Sequence, residues 1–240
     1  MSVGITYVLV GNKDLQHLEN SVSILKSYVP NIDVKIYHDY DFNSDALNSL
    51  NVRFRKYKRE RYSTREENRN SSLWRLISLQ ESEHDVTLYL DNDIYIVHPG
   101  FFKGFEIAKN FGTCMVQNPR MFIKTLERDM GDLDRGADVL PYDHNFLKNM
   151  PEYMTSYNMG VTFSTKDDIA FIEELIKEQK ENPSRGQAGL YRTIWKTKKA
   201  PYCLPINWLV CKKHCGIERP LSLHVGHPNV YDWWKKEFKR

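Results

Sequence analysis

The sequence predicts an α/β fold with a mostly parallel sheet, and three observations carry that prediction. The N-terminus alternates a β-rich run, a stretch with helical spacing and a second β-rich run. A further apolar run, Val86 to Leu90, climbs into Asp91-Asn92-Asp93, as a buried strand does when it ends on a polar crevice. Later, a Gly-interrupted strand at Tyr157 to Phe163 leads into a helix over Asp167 to Lys180, with Ile169, Ile172, Leu175 and Ile176 on one face.

In chain order, Ile5 to Val10 reads as the first strand and stops at Gly11-Asn12. Lys13 to Tyr28 places Leu15, Leu18, Val22 and Leu25 at roughly helical spacing, and Pro30-Asn31 ends it. Val34 to His38 is the second strand and runs into Asp39. The segment from Leu47 through Val52 and the basic run beyond reads as an exposed strand followed by a partly ordered loop. Ser71 to Leu79 has the pattern of an amphipathic helix with a serine cap, and Arg75 sits at the border of its apolar face between Trp74 and Leu76. There Arg75 is either a snorkelling surface residue or an anion contact.

After the D-N-D, Asp93 opens a second apolar run, Ile94 to Val97, closed by His98-Pro99-Gly100. Phe111 to Val116 reads as a strand. Asp129 to Asn145 bears Gly, Asp and Pro without periodicity, the look of a lid or binding loop. Gly160 inside a strand implies close approach of backbone or ligand. Gly186 to Leu190 precedes a helix around Tyr191 to Trp195, Leu204 to Trp208 is a short extended segment, and Leu221 to Val225 is a strand ending in a His-rich turn. The tail carries Trp233 and Trp234 among basic residues. Trp208, Trp233 and Trp234 could stack on a ligand, with core packing the commoner role for buried aromatics.

The D-N-D carries the chemistry. A desolvated carboxylate costs several kcal/mol or more, so two at a strand end imply a compensating cation or polar pocket. Hard divalent ions with oxygen ligands fit, and they commonly hold substrate phosphates. The bland reading is an Asx-turn or N-cap pair. In parallel sheets ligands gather at the carboxyl ends of strands, so the loops at Gly11-Asn12, Asp39 and Asp91-Asn92-Asp93 are expected to converge.

With 240 residues and 41% apolar content, the chain suits one domain spanning residues 1–240. No stretch reaches the roughly 18 apolar residues of a membrane span, and no secretory signal or anchor is visible. Four irregularly spaced cysteines fit a reducing, cytoplasmic setting, and Cys211-Lys-Lys-His214-Cys215 has too few ligands for a zinc knuckle. The net charge of +3 is uneven: Arg53, Arg55, Lys56, Lys58, Arg59, Arg61, Arg65, Arg69 and Arg75 crowd one segment, against Glu60, Glu66 and Glu67, with Tyr57 and Tyr62 interleaved.

Taken together, the R-L helix at Arg75-Leu76, the strand into D-N-D, the N-x-G-V strand at Asn158, the Gly186-Gln187 helix start, the L-P segment at Leu204-Pro205 and the terminal H-x-G at His224 resemble a known family. That family is the GT-A nucleotide-sugar glycosyltransferases, and within it the retaining family 8 group. The resemblance implies a single GT-A domain with a Rossmann-like mixed sheet flanked by helices. Residues 1–100 would form the nucleotide-binding half and residues 101–240 the acceptor and donor-sugar half. It implies a Mn or Mg ion on Asp91, Asp93 and His224. The donor, with uridine its expected nucleotide, would lie against Val10, Gly11, Asn12, Asp39, Arg75, Asp91, Asn92, Gly226 and His227. Asn158, Gln187 and Arg75 would face the transferred sugar, with retention of configuration. The acceptor would be a hydroxyl of a glycan or a protein, and the basic run from Arg53 to Arg75 could instead recruit a polyanionic acceptor such as modified DNA. Two departures concern the sugar and acceptor: Gly186 stands where the family usually has an acid, and His227-Pro228 follows Gly226 in place of a Lys-Pro-Trp.

Without a dedicated nucleophile, retention leaves Asn158, Gln187 or the departing phosphate oxygen to assist attack. Inversion would need a base, for which Asp129, Asp132, Asp134, Asp138 and Asp143 are candidates. Three rival readings fit less of the chain. A haloacid dehalogenase-type phosphatase expects its D-x-D near the N-terminus and a small residue where Tyr95 stands. A sugar nucleotidylyltransferase expects a richer glycine loop than Val10-Gly11-Asn12-Lys13. A basic nucleic-acid-binding domain would use Arg53 to Arg75, a run that also reads as a solvated face.

Overall fold

The computed structural model describes residues 1–61, 66–118, 155–181, 186–211, 219–226 and 229–238. The Asp129 to Asn145 stretch with its five aspartates, and Tyr62, Arg65, His214, Cys215 and His227, lie outside the described residues.

Among the described residues, seven strands form one sheet. In chain order they are β1 (Val3–Leu9), β2 (Asp33–His38), β3 (Arg53–Lys56), β4 (Val86–Leu90), β6 (Cys114–Gln117), β7 (Tyr157–Thr165) and β8 (Tyr202–Leu204), arranged β3-β2-β1-β4-β7-β6-β8. The first four run parallel. β7 is antiparallel to both β4 and β6, and β8 runs parallel to β6. The sheet is therefore mixed, as the family resemblance implied, and less uniformly parallel than the N-terminal pattern alone suggested. A two-stranded antiparallel ribbon, β5 (Ile94–Ile96) with β9 (Ser222–His224), lies outside it.

Alternation along the strands builds a core on each face. Ile5, Tyr7 and Leu9 of β1 join Leu88 and Leu90 of β4 in one cluster, where helix α1 (Leu15–Tyr28) buries Leu18, Val22 and Leu25. On the other face Val8 and Tyr89 meet Leu73, Leu76 and Leu79 of helix α3 (Glu66–Gln80). The same cluster takes Phe171, Ile172, Leu175 and Ile176 of helix α5 (Ile169–Glu181) and Leu190, Tyr191 and Ile194 of helix α6 (Gly186–Thr197). Helices α2 (Asp45–Ser49), α4 (Gly104–Phe111) and α7 (Val230–Phe238) complete the described set. Trp208 is buried against Phe101 and Phe163, so core packing is its role.

Several element boundaries differ from the sequence reading. α3 starts at Glu66, so Ser71 and Ser72 lie inside the helix and do not cap it. Asp45 to Ser49 is a short helix capped by Ser44, whose Oγ accepts from Leu47 N at 3.1 Å, and the expected exposed strand is β3. Phe111 closes α4 ahead of β6, and Gly186 to Leu190 belongs to α6 itself. These shifts share a cause: tertiary packing decides where a marginal segment joins a helix.

Candidate metal and donor site

The site forms at the carboxyl end of β4. Asp91 N donates to Gly160 O at 2.9 Å, which fixes the turn against β7. Asn92 Nδ2 donates to Val8 O at 3.0 Å and ties the same turn to the end of β1. In the ribbon, Ile94 pairs with His224, and Val225 N donates to Asp93 O at 2.8 Å. That register sets the His224 imidazole beside the Asp93 carboxylate, with Nε2 3.0 Å from Oδ2.

Asp91, Asp93 and His224 each offer a ligand atom, and these atoms lie within 4.8 Å of one another. Two carboxylates and one imidazole form a mixed oxygen and nitrogen donor set suited to a divalent ion. Two glycines make the crowding possible. A Cβ on Gly160 would stand 2.5 Å from Asp91 Oδ2, and one on Gly226 would collide with Asp93 Oδ2. The residues present therefore fit a divalent cation, and the backbone packs against both carboxylates.

The electrostatics are finely balanced. Asp91 Oδ1 accepts from Arg75 Nη2 at 2.9 Å and from the Tyr89 hydroxyl at 2.6 Å, and the guanidinium lies over the Tyr89 ring at 4.9 Å. Arg75 is 14% exposed, so its guanidinium does not snorkel to the surface but is held inside against the Asp91 carboxylate. Burial and the Asp91 charge raise the Tyr89 hydroxyl well above its usual range, which keeps it a donor. Burial opposes the charge on Asp93, but its hydrogen bond to His224 wins and holds its carboxyl below the usual range. His224 feels the reverse: burial disfavours its cation, yet the Asp93 carboxylate 3.0 Å from Nε2 and the nearby Cys211 sulfur push it up to about 10.

Two residues at the site, Asp14 and Tyr89, carried no chemical signal in the sequence, and a third, Cys211, stood out there only as part of the Cys211 to Cys215 cluster. Asp14, at the N-cap of α1 with no capping hydrogen bond from its side chain, is raised by burial and then by the charge of Asp93. Asp14 therefore adds its charge to the field of the Asp91 and Asp93 carboxylates without joining their ligand cluster. Tyr89 reads as an ordinary strand residue. Cys211 is buried with its Sγ 3.4 Å from Asn158 Nδ2. The only sequence signal was positional: Tyr89 is two residues before Asp91, and Asp14 follows the Gly11-Asn12 turn.

The remaining sequence candidates fall into two groups. Gly11, at φ +65°, donates its N–H to Asp39 Oδ1 at 2.7 Å, and Arg59 Nε donates to Asp39 Oδ2 at 2.6 Å. The Asp39 side chain is only 1% exposed, so its carboxylate braces the Gly11 loop and is itself shielded. Val10 packs against the α3-side core and the Asn12 carbonyl accepts from Leu15 N at 3.2 Å. The expected convergence of the three loops is thus seen in these contacts. At the start of β7, Gly160 N donates to Asn158 Oδ1 at 2.8 Å and Gln187 Nε2 donates to Tyr157 O at 2.9 Å, so Gln187 is fixed to the strand next to Asn158, whose Oδ1 shares the space over the Gly160 Cα with the Asp91 carboxylate. A cavity of about 590 Å³ between α1 and α7 reaches the cluster at Gly226, with His17, Asn20, Tyr95 and Tyr231 in its walls.

The basic segment is largely neutralised where it is described. Arg53 pairs with Asp33, Arg55 with Glu81 at 2.6 Å, Lys56 with Asp41 at 2.6 Å, Arg59 with Asp39 and Arg75 with Asp91.

No family model matches the chain, and no curated protein matches it in sequence. Solved structures do match its fold. Mouse xyloside xylosyltransferase 1 in its apo form aligns with a TM-score of 0.61 at 10% identity, over 96% of this chain and 99% of that one. The galactosyltransferase LgtC, in complex with donor and acceptor sugar analogs, aligns at 0.59 and 12% identity over 95% and 88% of the two chains. A glycosyltransferase involved in glycosylation of the major capsid of PBCV-1 aligns at 0.51 and 14% identity over 93% and 92%. At these identities the likeness is one of fold, and the fold is the GT-A glycosyltransferase architecture.

Proposed function

We propose that this protein is a metal-dependent glycosyltransferase that moves a sugar from a nucleotide-diphosphate sugar, with uridine as the nucleotide, to a hydroxyl acceptor. The observation that carries this reading is the convergence of Asp91, Asp93 and His224 at the end of β4 in a fold shared with glycosyltransferases.

The charge balance supports it. Asp14, Asp91 and Asp93 would repel a diphosphate, and Arg75 is already paired with Asp91. A bound manganese or magnesium ion would offset that negative charge and stabilise the charge that grows on the leaving diphosphate. The imidazole favours manganese over magnesium, since nitrogen ligands suit transition metals. Asp91 and Asp93 hold the cation's place, Tyr89 and Arg75 fix the Asp91 rotamer, and Asn92 anchors the turn to β1. Gly11 and Asn12 border the nucleoside, with Asp39 holding the Gly11 loop from below.

Asn158 and Gln187 act as orienting groups for the donor sugar. Both side-chain amides are engaged by neighbouring groups, and a neutral amide is a poor nucleophile. Retention then proceeds on one face of the sugar. The anomeric carbon's bond to the diphosphate oxygen breaks as its bond to the acceptor oxygen forms, and the acceptor's proton passes to the departing phosphate oxygen. A glycan or protein hydroxyl suits the site better than a polyanion, because the cations of the Arg53 to Arg75 run that the structure pairs have acidic partners.

The test is hydrolysis and binding of a panel of nucleotide sugars, with and without manganese, on the intact protein and on Asp93→Asn. Metal-dependent turnover or tight binding of one donor, lost in the variant, is the expected result. Absence of binding to every donor with either metal would overturn the proposal.

A further inference from the structure

The cavity between α1 and α7 has no part in the chemistry described above. Its volume of about 590 Å³ falls within the range of small-molecule sites, roughly 300 to 1,000 Å³. Both of its walls are fixed to the β5–β9 ribbon. On α1, Ser21 Oγ donates to Ile94 O at 2.6 Å, and on α7 the buried Val230 packs with Val210 and Leu223. Asn229, at φ +65°, turns the chain into α7, and its carbonyl accepts from Trp233 N at 3.0 Å.

The lining combines aromatic rings with hydrogen-bonding side chains. Tyr95 and Tyr231 meet edge to face with centroids 5.7 Å apart, and the Tyr95 hydroxyl accepts from Asn20 Nδ2 at 3.0 Å and lies 3.3 Å from His17 Nδ1. Ser23 and Asp232, both exposed, add a hydroxyl and a carboxylate. Such groups donate to and accept from the hydroxyls of a saccharide, and aromatic rings cover its apolar C–H faces. Among the described residues lining the cavity none is Lys or Arg, and Lys235, outside the lining, keeps its Nζ over the Tyr231 ring at 4.1 Å. Asp232 lies in the wall and the Asp93 carboxylate directly behind Gly226, so a phosphate or sulfate group meets charge of its own sign. The place is also separate from the expected sugar pocket. Asn158 meets Asp91 over Gly160, whereas the cavity adjoins Asp93 at Gly226.

We infer that this cavity is a carbohydrate-binding site that takes a neutral sugar unit of a glycan acceptor, away from the unit that receives the transferred sugar. The acceptor role rests on the glycosyltransferase reading given above; the binding of a saccharide does not. Its consequence is that the protein holds a glycan chain in the absence of both metal and donor.

The experiment is calorimetric titration of the intact protein, in EDTA and without donor, with the neutral trisaccharides maltotriose, cellotriose, mannotriose and triacetylchitotriose, and with trigalacturonic acid as the anionic control. The proteins are the wild type, Tyr231→Ala, Asn20→Ala, Ser23→Trp and Asp93→Asn. Binding of at least one neutral trisaccharide at millimolar affinity or tighter is expected, with none for the anionic control. Tyr231→Ala and Asn20→Ala should each weaken it about tenfold, the effect of one lost contact. Ser23→Trp should abolish it by filling the cavity from an exposed helical position. Asp93→Asn should leave it unchanged. Circular dichroism and melting temperature establish folding, and if Tyr231→Ala does not fold, Ser23→Trp carries the test. Binding of no neutral trisaccharide, binding that Ser23→Trp leaves unchanged, loss in Asp93→Asn, or displacement of the saccharide by UDP overturns the inference. Saccharide binding by a protein that turns over no nucleotide sugar with either metal overturns the glycosyltransferase reading and the acceptor role, and the saccharide site stands.

Discussion

Gly160→Ala is the sharpest probe of the site, because its steric effect follows from one distance. Gly160 does not occupy the left-handed region, so an alanine backbone fits β7 without strain. Its methyl would stand 2.5 Å from Asp91 Oδ2, roughly 0.9 Å inside ordinary van der Waals contact, which begins near 3.4 Å. Asp91 has nowhere to retreat. Its Oδ1 is held by Tyr89 and Arg75, and its N–H is held by the carbonyl of Gly160 itself. A metal site tolerates only about 0.2 Å of error in ligand distance. A displacement near 1 Å at a reacting centre costs roughly 100-fold. Manganese affinity is therefore expected to fall about 100-fold, or about 2.7 kcal/mol. Global stability should move by no more than about 1 kcal/mol, since the clash is offset by the reduced freedom of the unfolded chain. Calorimetric titration with manganese, paired with a thermal melt, separates the two effects. An alanine variant with wild-type affinity would refute the placement of Asp91 as a ligand.

Three further outcomes follow from the contacts described. Tyr89→Phe removes one charge-assisted hydrogen bond to Asp91 and leaves the ring under Arg75, so donor turnover at fixed manganese should fall roughly tenfold with an unchanged melting temperature; unchanged turnover would mean that Arg75 alone fixes the rotamer. Asp168 accepts from Thr113 N at 2.7 Å and pairs with Lys199; burial opposes its charge, but these partners hold its carboxyl below the usual range. Its stabilisation is complete above the unfolded carboxylate value of about 4 and is lost as pH falls through the depressed folded value, so Asp168→Asn should cost about 1–3 kcal/mol at pH 7 and flatten the acid limb of a melting curve taken from pH 6 to pH 3. Lys199 is 56% exposed, so most of that cost belongs to the Thr113 bond, and a variant with the wild-type acid limb would contradict the assignment. Finally, duplex DNA is expected to bind weakly even at low salt; tight binding with a steep salt dependence, measured by fluorescence anisotropy, would revive the polyanion reading of the Arg53 to Arg75 run.

What could be read from the sequence was local. Asp91 and Asp93 stand out because carboxylates at the end of an apolar strand need a reason, and Gly160 and His224 because their types are unusual in strands. The structure gives Gly160 its physical reason, the Asp91 carboxylate against its Cα. The direction of β7 was not legible, since periodicity is the same for a strand running either way. That direction matters: running antiparallel to β4, the strand brings its opening residues Asn158 and Gly160 beside the end of β4. Tyr89 and Asp14 escaped notice because their significance arises only from neighbours distant in sequence or from the fold of a turn, and Cys211 was read only against its sequence neighbours His214 and Cys215. The serine cap assigned at Ser71 failed because five preceding residues, polar and charged, joined the helix once its apolar face had a sheet to cover.

The arginines of β3 bear on a different property of the molecule, its behaviour at high concentration. Among the described residues β3 is an outermost strand of the sheet, and all four of its residues are exposed, Phe54 among them. An unpaired strand edge is a template for a second copy of the same chain, and open-ended pairing of that kind leads to fibres. Here Arg53, Arg55 and Lys56 flank Phe54, and each is bound to an acid on a neighbouring segment. Such pairs carry little long-range field, yet docking another strand would strip their hydration. Replacing them with threonine would leave a bare β-branched ribbon around Phe54, the kind of edge that aggregates. The residues that look most like a grip for a polyanion thus serve to keep the sheet finite.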